Sequence, residues 1–300
     1  MGALGDVAAP LLRELRGHLD GSLALTRPPE QLRGGFSADL FAFDVDRPPR
    51  QLVLRLLDDD DSAMREARIQ AHVEALGYPA PRVVLAGSSD SAFGRPFLVL
   101  VRATGRTPLD AAGKLGVPKL FREIPTILAT LMADLHALPI GDLVYDGTAA
   151  ALADVEPGAA RDWLLRRELT REPAVVAHGD LHGANLLVDA GRVTAVLDWE
   201  LATVAPAEYD VARTACILAL LPGVPTVARR MLTRPAARTA ERFVAAYSMR
   251  RPVDGERLRW YEVLHAARLL TVAQRAGAVA GLWRPLVPAL ERRIAERVRD

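Results

Sequence analysis

Three hundred residues, half of them hydrophobic and a quarter charged, suffice for one large domain or two lobes with a real core. A formal net charge of +1 points to neither nucleic acid nor a membrane surface as partner. The single cysteine, Cys216, rules out an internal disulfide and suits a reducing compartment; no apolar run reaches the roughly 18 residues of a membrane span and no signal-peptide pattern opens the chain, so the expected location is the cytoplasm.

The first predicted element is an amphipathic helix over 6–20. Val7, Leu11, Leu12, Leu15 and Leu19 recur at helical spacing, and Asp20-Gly21 ends it. Residues 30–57 read as three strands, over 31–33, 39–45 and 51–57, with a turn at Asp46-Arg47-Pro48-Pro49. Between the first two lie Gly34, Gly35, Phe36 and Ser37. Two glycines let backbone N–H groups approach a phosphate because no Cβ blocks the way, although such pairs also serve as plain turns. Arg55 sits alone in the apolar third strand, where a cation needs a partner or a route to solvent.

A helix is predicted over 62–76, with Ser62 as N-cap and Gly77 as stop. Taken alone, Glu66 in its second turn reads as a solvated carboxylate beside Arg65 and Arg68, and Asp58 to Asp61 as a solvated approach to the helix dipole. Strands over 79–85 and 96–101 complete a five-stranded antiparallel sheet. Gly105, Arg106 and Pro108 mark the passage into a helical region, whose first long helix runs from 117 to His136 along one apolar face. His136 reads as a satisfied polar group at the helix end, and a short helix follows over 159–169.

The most informative stretch comes next. Val176-Ala177-His178-Gly179-Asp180-Leu181-His182-Gly183-Ala184-Asn185 leads into apolar runs over 186–188 and 193–197, joined by a turn and closed by Asp198-Trp199-Glu200. A hairpin of this form brings Asn185, which enters its first strand, and Asp198, which leaves its second, to the same end, with Asp180 on the loop that feeds it. A loop carboxylate can orient a hydroxyl and take its proton. An amide and a second carboxylate supply the hard oxygens that Mg²⁺ prefers. Two other readings stand beside this one. His178, Asp180 and His182 at alternate positions are possible Zn²⁺ ligands of a hydrolase, although that leaves Asn185 and Asp198 unexplained. Alternatively, Asp180 and Asn185 are turn residues that bond their own backbone.

His-Gly-Asp-Leu-His-Gly-Ala-Asn-Leu-Leu followed by Leu-Asp-Trp-Glu resembles the aminoglycoside phosphotransferase and choline kinase family, relatives of the protein kinases. The resemblance implies an α+β, bilobal protein kinase-like fold: an antiparallel five-stranded N-lobe over 1–102 and a mainly helical C-lobe over 103–300. It implies ATP-dependent transfer of a phosphoryl group to a hydroxyl of a small molecule, with Mg²⁺ as cofactor, Asp180 as catalytic residue and Asn185 and Asp198 as metal ligands. It places nucleotide contacts at Gly34, Gly35 and Ser37. Arg55 stands where the family has a phosphate-holding Lys, with Glu66 as its helix partner. The backbone of Val101 and Ala103 forms the hinge that meets the base, where side chains do not distinguish ATP from GTP. Ala205-Pro206-Ala207-Glu208-Tyr209-Asp210 resembles the family segment whose last Asp anchors the catalytic-loop backbone; Asp210 is otherwise a plain helix N-cap. His178 is assigned to bracing the loop and Glu200 to a second metal or the acceptor, while His182 receives no role. Arg in place of Lys leaves open a nucleotide-binding protein without transfer activity. The net-basic C-terminal segment argues for a neutral or modestly polar acceptor over a strongly cationic aminoglycoside. Residues 224–300 are expected to shape the acceptor pocket.

Overall fold

Strands of period two produce a sheet with two different faces, and this sorts the first half of the chain. The computed structural model describes residues 7–32, 38–144, 152–167, 174–274 and 278–298. Helix α1 (Ala8–His18) precedes β1 (Glu30–Gln31), β2 (Asp39–Asp46) and β3 (Pro49–Leu56); α2 (Asp60–Ala75), β4 (Val83–Gly87) and β5 (Phe97–Val101) follow. The five strands form one antiparallel sheet in the order β1-β2-β3-β5-β4. Phe41, Phe43 and Val45 of β2, Leu52, Leu54 and Leu56 of β3, and Phe97 and Val99 of β5 share one core with Leu11 and Leu15 of α1. Burying such side chains fully is worth about 1.5–3 kcal/mol each. Residues one position out of phase belong to the other face, where Leu57, Leu98 and Leu100 pack against Ala63 and Ala67 of α2. Arg55 pairs with Leu40 and Leu98 across the central strands, and its phase directs it to the α2 face.

The sequence places the start of α2 at Ser62, but the helix begins at Asp60 because Asp59 is the N-cap and accepts from the Ser62 backbone N–H. The acidic approach is only partly solvated: Asp60 accepts from the Ser89 N–H and hydroxyl, and Asp58 pairs with Arg95.

Downstream lie α3 (Pro108–Leu135), α4 (Ala159–Leu165), β6 (Ala174–Ala177), a one-turn 3₁₀ segment (Gly183–Asn185), β7 (Leu186–Asp189), β8 (Arg192–Val196) and β9 (Thr203–Pro206). Helices α5 (Ala207–Leu220), α6 (Thr226–Ser248), α7 (Gly255–Gln274), α8 (Ala278–Trp283) and α9 (Val287–Val298) complete the chain. Helix α3 starts nine residues before the expected 117: Thr107 caps it, Pro108 occupies its first turn, and a kink at Gly113 (φ 59°) joins two helical pieces. None of the helices among the described residues is long and apolar enough to cross a membrane.

Two compact units result: Met1–Gly105 with Leu187–Glu200, and Arg106–Leu186 with Leu201–Asp300. The sequence puts everything beyond residue 102 in the second lobe, yet the 187–200 hairpin joins the first unit for visible reasons. Val196 N–H donates to Pro79 O (2.6 Å), Thr194 Oγ1 donates to Thr104 O (2.6 Å), and Trp199 meets Tyr78 edge-on at 5.7 Å. In the second unit α5 is buried around most of its circumference, including Cys216, and packs against α6 and α7; β6 pairs antiparallel with β9.

Candidate active site

The first unit contributes a charged cluster. Arg55 Nη1 lies 2.5 Å from Glu66 Oε1 and Nη2 lies 3.4 Å from Asp198 Oδ1. The Arg55 and Glu66 side chains are 9% and 0% exposed, whereas that of Asp198 is 43% exposed. Burial pushes the Glu66 carboxyl up to about 7; the Arg55 charge opposes this, and Asp198 and Glu200 add to it. Glu66 Oε2 and Arg55 Nε are buried without a hydrogen-bond partner among the described residues, so the pair is costly as structure. Asp198 has φ 65°, a left-handed conformation that a non-glycine residue adopts at a cost. The next residue secures that turn: Trp199 is fully buried, and its indole N–H donates to Val196 O at 2.9 Å.

The second unit contributes a clamped loop. β6 delivers the chain at Ala177, and the next two backbone N–H groups, of His178 and Gly179, donate to Asp210 Oδ2 and Oδ1, both at 2.9 Å. Asp210 also meets His136 Nε2 at 3.2 Å, and His136 Nδ1 meets the Tyr247 hydroxyl at 2.6 Å. Burial would raise the Asp210 pKa, but the His136 hydrogen bond and the neighbouring histidines hold it below the usual carboxylate range. Gly179 has φ 77°, and a Cβ there would stand 2.2 Å from Leu201 O, so only glycine fits. Thr214 Oγ1 donates to Leu181 O at 2.8 Å.

Asp180 emerges from this loop half-buried. Arg213 donates to its Oδ1 from Nε (3.3 Å) and Nη2 (3.1 Å), and His182 Nε2 lies 3.3 Å from its Oδ2. Burial works against ionisation, but the His182 hydrogen bond and the charges of Arg213, His182 and His178 prevail and hold the carboxyl well below its usual range. Asn185 Nδ2 donates to the Asp180 backbone O at 2.9 Å, which leaves its Oδ1 for another partner.

Asp180, Asn185, His178 and Asp210 thus lie together in the second unit, and Arg55, Glu66 and Asp198 in the first. Gly34, Gly35 and Ser37 fall outside the described residues. Val101 ends β5, its N–H donating to Arg82 O at 2.9 Å, and Ala103 follows it. The Zn²⁺ reading fails on geometry. His178 Nδ1 accepts from the Asp180 N–H and the ring is fully buried, while His182 Nδ1 accepts from the Ala184 N–H. Among the described residues no group of three or more His, Cys, Asp or Glu is disposed to hold a metal. Mg²⁺ asks less, one or two protein oxygens beside phosphate, and each unit by itself holds a donor of the right kind: the freed Asn185 Oδ1 in the second and the exposed Asp198 carboxylate in the first.

Sequence reasoning missed Arg213 and left His182 without a role. His182 caps the 3₁₀ turn and touches Asp180. Arg213 had a signal: it follows Asp210 by three positions on a helix and so shares its face.

The model of the phosphotransferase enzyme family (APH) matches residues 29–261. The chain belongs to that family. Within it, the aminoglycoside 3′-phosphotransferase of Streptomyces fradiae is 32% identical over 212 residues, covering 63% of this chain and 73% of the relative. Acyl-CoA dehydrogenase family member 11 of Pongo abelii is 26% identical over 191 residues, 55% of this chain; the match spans only 24% of that longer relative. A crystal structure of a thermostable mutant of aminoglycoside phosphotransferase APH(4)-Ia, in ternary complex with ADP and hygromycin B, superposes with a TM-score of 0.63 at 20% identity, covering 98% of both chains. That likeness establishes the α+β kinase-like fold.

Proposed function

We propose that the chain is an ATP-dependent phosphotransferase that moves the γ-phosphoryl group to a hydroxyl of a small molecule. Family membership supports the reaction class, and the observation that carries the reading is Asp180: a carboxylate kept ionised at the tip of a loop whose backbone is clamped by Asp210. A transferring phosphoryl group offers a protein little covalent chemistry, so catalysis is mainly positioning and charge stabilisation. Asp180 accepts a hydrogen bond from the acceptor hydroxyl, aligns it for in-line attack and takes its proton as the new O–P bond forms and the bond from the γ-phosphorus to the β–γ bridging oxygen breaks, releasing ADP. Its depressed pKa makes orientation the larger part of that task. Arg55, held by Glu66, engages the nucleotide phosphates; its guanidinium is broader and flatter than the usual ammonium, and donates along two directions. By family resemblance Gly34, Gly35 and Ser37 are assigned to those phosphates, and the backbone at Val101 and Ala103 receives the base. Mg²⁺, held by Asn185 and Asp198, would neutralise charge on the phosphate oxygens. Glu200 serves the acceptor or a second metal. The test is a panel of hydroxyl acceptors with γ-labelled ATP and Mg²⁺: label in an acceptor supports the reading, and nucleotide binding with no transfer to any acceptor rejects it in favour of a non-transferring nucleotide binder.

A further inference from the structure

Helix α5 tracks the 178–181 loop residue by residue. Asp210 takes the N–H groups of His178 and Gly179, Arg213 takes the side chain of Asp180, and Thr214 donates to the carbonyl of Leu181. Three of these contacts only shape the backbone. The Arg213 contact differs, because it acts on the carboxylate assigned to the acceptor.

Two nitrogens of Arg213 converge on one oxygen, Oδ1, at 3.3 and 3.1 Å. Arg213 thus anchors Oδ1 while His182 Nε2 (3.3 Å) and Asn185 Nδ2 (3.4 Å) meet Oδ2, so the carboxylate is held at both ends. The guanidinium is itself held from a second side, with its Cζ 5.8 Å from the centroid of the Trp283 ring in α8. Its side chain is 12% exposed, and among the described residues Asp180 is its sole carboxylate partner. The charge of Asp180 is therefore already balanced within the protein. An ammonium group brought beside the reacting hydroxyl would meet in Asp180 a carboxylate already paired with a fixed cation.

We infer that Arg213 is a positioning and specificity residue: it holds the Asp180 carboxylate in one orientation for the acceptor and, by cancelling its charge, favours hydroxyl compounds that are neutral or anionic near the reacting oxygen over those bearing an ammonium there. This rests on the reading of Asp180 as the group that meets the acceptor. It deepens that reading by naming a substrate class.

The experiment compares kcat/KM for transfer from Mg²⁺·ATP to glycerate, glycerol and serinol, which carry hydroxyls on a common three-carbon frame but differ in charge. The wild type should rank glycerate and glycerol above serinol. Arg213→Gln should raise the serinol-to-glycerate ratio by roughly tenfold or more. Arg213→Lys should keep the wild-type order while lowering kcat, because one ammonium cannot grip an oxygen with two converging nitrogens. Thermal melting of each variant separates these effects from loss of fold. If transfer occurs but the ratio stays within about twofold in Arg213→Gln, with all three acceptors reduced alike, Arg213 is merely structural and the inference is overturned. A wild-type preference for serinol overturns it equally. Absence of transfer to every acceptor is a different result, which removes the phosphotransferase reading and takes this inference with it.

Discussion

Glu66 in the first unit and Asp210 in the second are both buried carboxylates, yet their affinities for a proton are displaced in opposite directions. Glu66 has one cation, Arg55, on one of its oxygens; its other oxygen has no hydrogen-bond partner among the described residues, and two further acids, Asp198 and Glu200, add negative charge nearby. Asp210 has two backbone N–H donors and the His136 ring, and both of its oxygens are engaged. Burial alone therefore does not set the charge of an acid; the number of donors aimed at it does. The donor-rich carboxylate is a structural anchor. The donor-poor one sits beside Arg55 and Asp198, where the proposed metal would supply positive charge.

The largest expected effect comes at the exposed end of the donor-rich unit. Asp180→Ala should lower turnover by roughly 10²–10⁴ while ATP binding survives, measured by transfer of labelled phosphate and by nucleotide titration. Near-wild-type turnover would remove Asp180 from the chemistry. Next, Asp210→Ala strips two buried N–H groups and His136 of their acceptor and should cost about 3–5 kcal/mol in denaturant unfolding. Because the folded-state pKa of Asp210 is depressed, its contribution is present above the unfolded carboxylate pKa and disappears as pH falls through the folded value.

Glu66 should behave in the reverse sense. Its folded-state pKa, about 7, lies above the ordinary glutamate value of 4.5, so its contribution is present at low pH and is lost as pH rises through the window between those values. That loss amounts to at most about 3 kcal/mol. Glu66→Gln should flatten this part of the stability–pH curve. An unchanged slope would show that Arg55 compensates Glu66 more completely than the comparison allows. The smallest effect is expected at His182: His182→Ala removes a cap on one N–H and should cost roughly 0.5–2 kcal/mol by thermal or chemical melting.

Most of the first unit was legible because its strands obey period two. Phe41, Phe43, Leu52 and Leu54 announce one face, and the lone Arg55 out of phase with them announces the other. The Arg55–Glu66 pair came from resemblance; residue patterns alone left Glu66 in solvent. Local patterns misplaced two helix starts for different reasons. Four consecutive aspartates offer several caps, and only the folded chain selects Asp59. At α3, Gly113, Gly116 and Pro118 look like breakers, yet a single kink absorbs the irregularity. Which unit claims the 187–200 hairpin is a tertiary fact, written in contacts with Tyr78, Pro79 and Thr104 that no spacing reveals. Arg213 went unread because a charged residue on a buried helix declares its partner only when the partner's loop is in place.

The central claim is that Asp198 and Asp180 divide the work between nucleotide and acceptor. The most direct measurement is Mg²⁺-dependent ATP affinity, by titration calorimetry, in Asp198→Ala and Asp180→Ala side by side. The account predicts that Asp198→Ala abolishes the Mg²⁺-dependent part of binding and that Asp180→Ala preserves it. Equal retention of Mg²⁺-dependent affinity in both variants would contradict it.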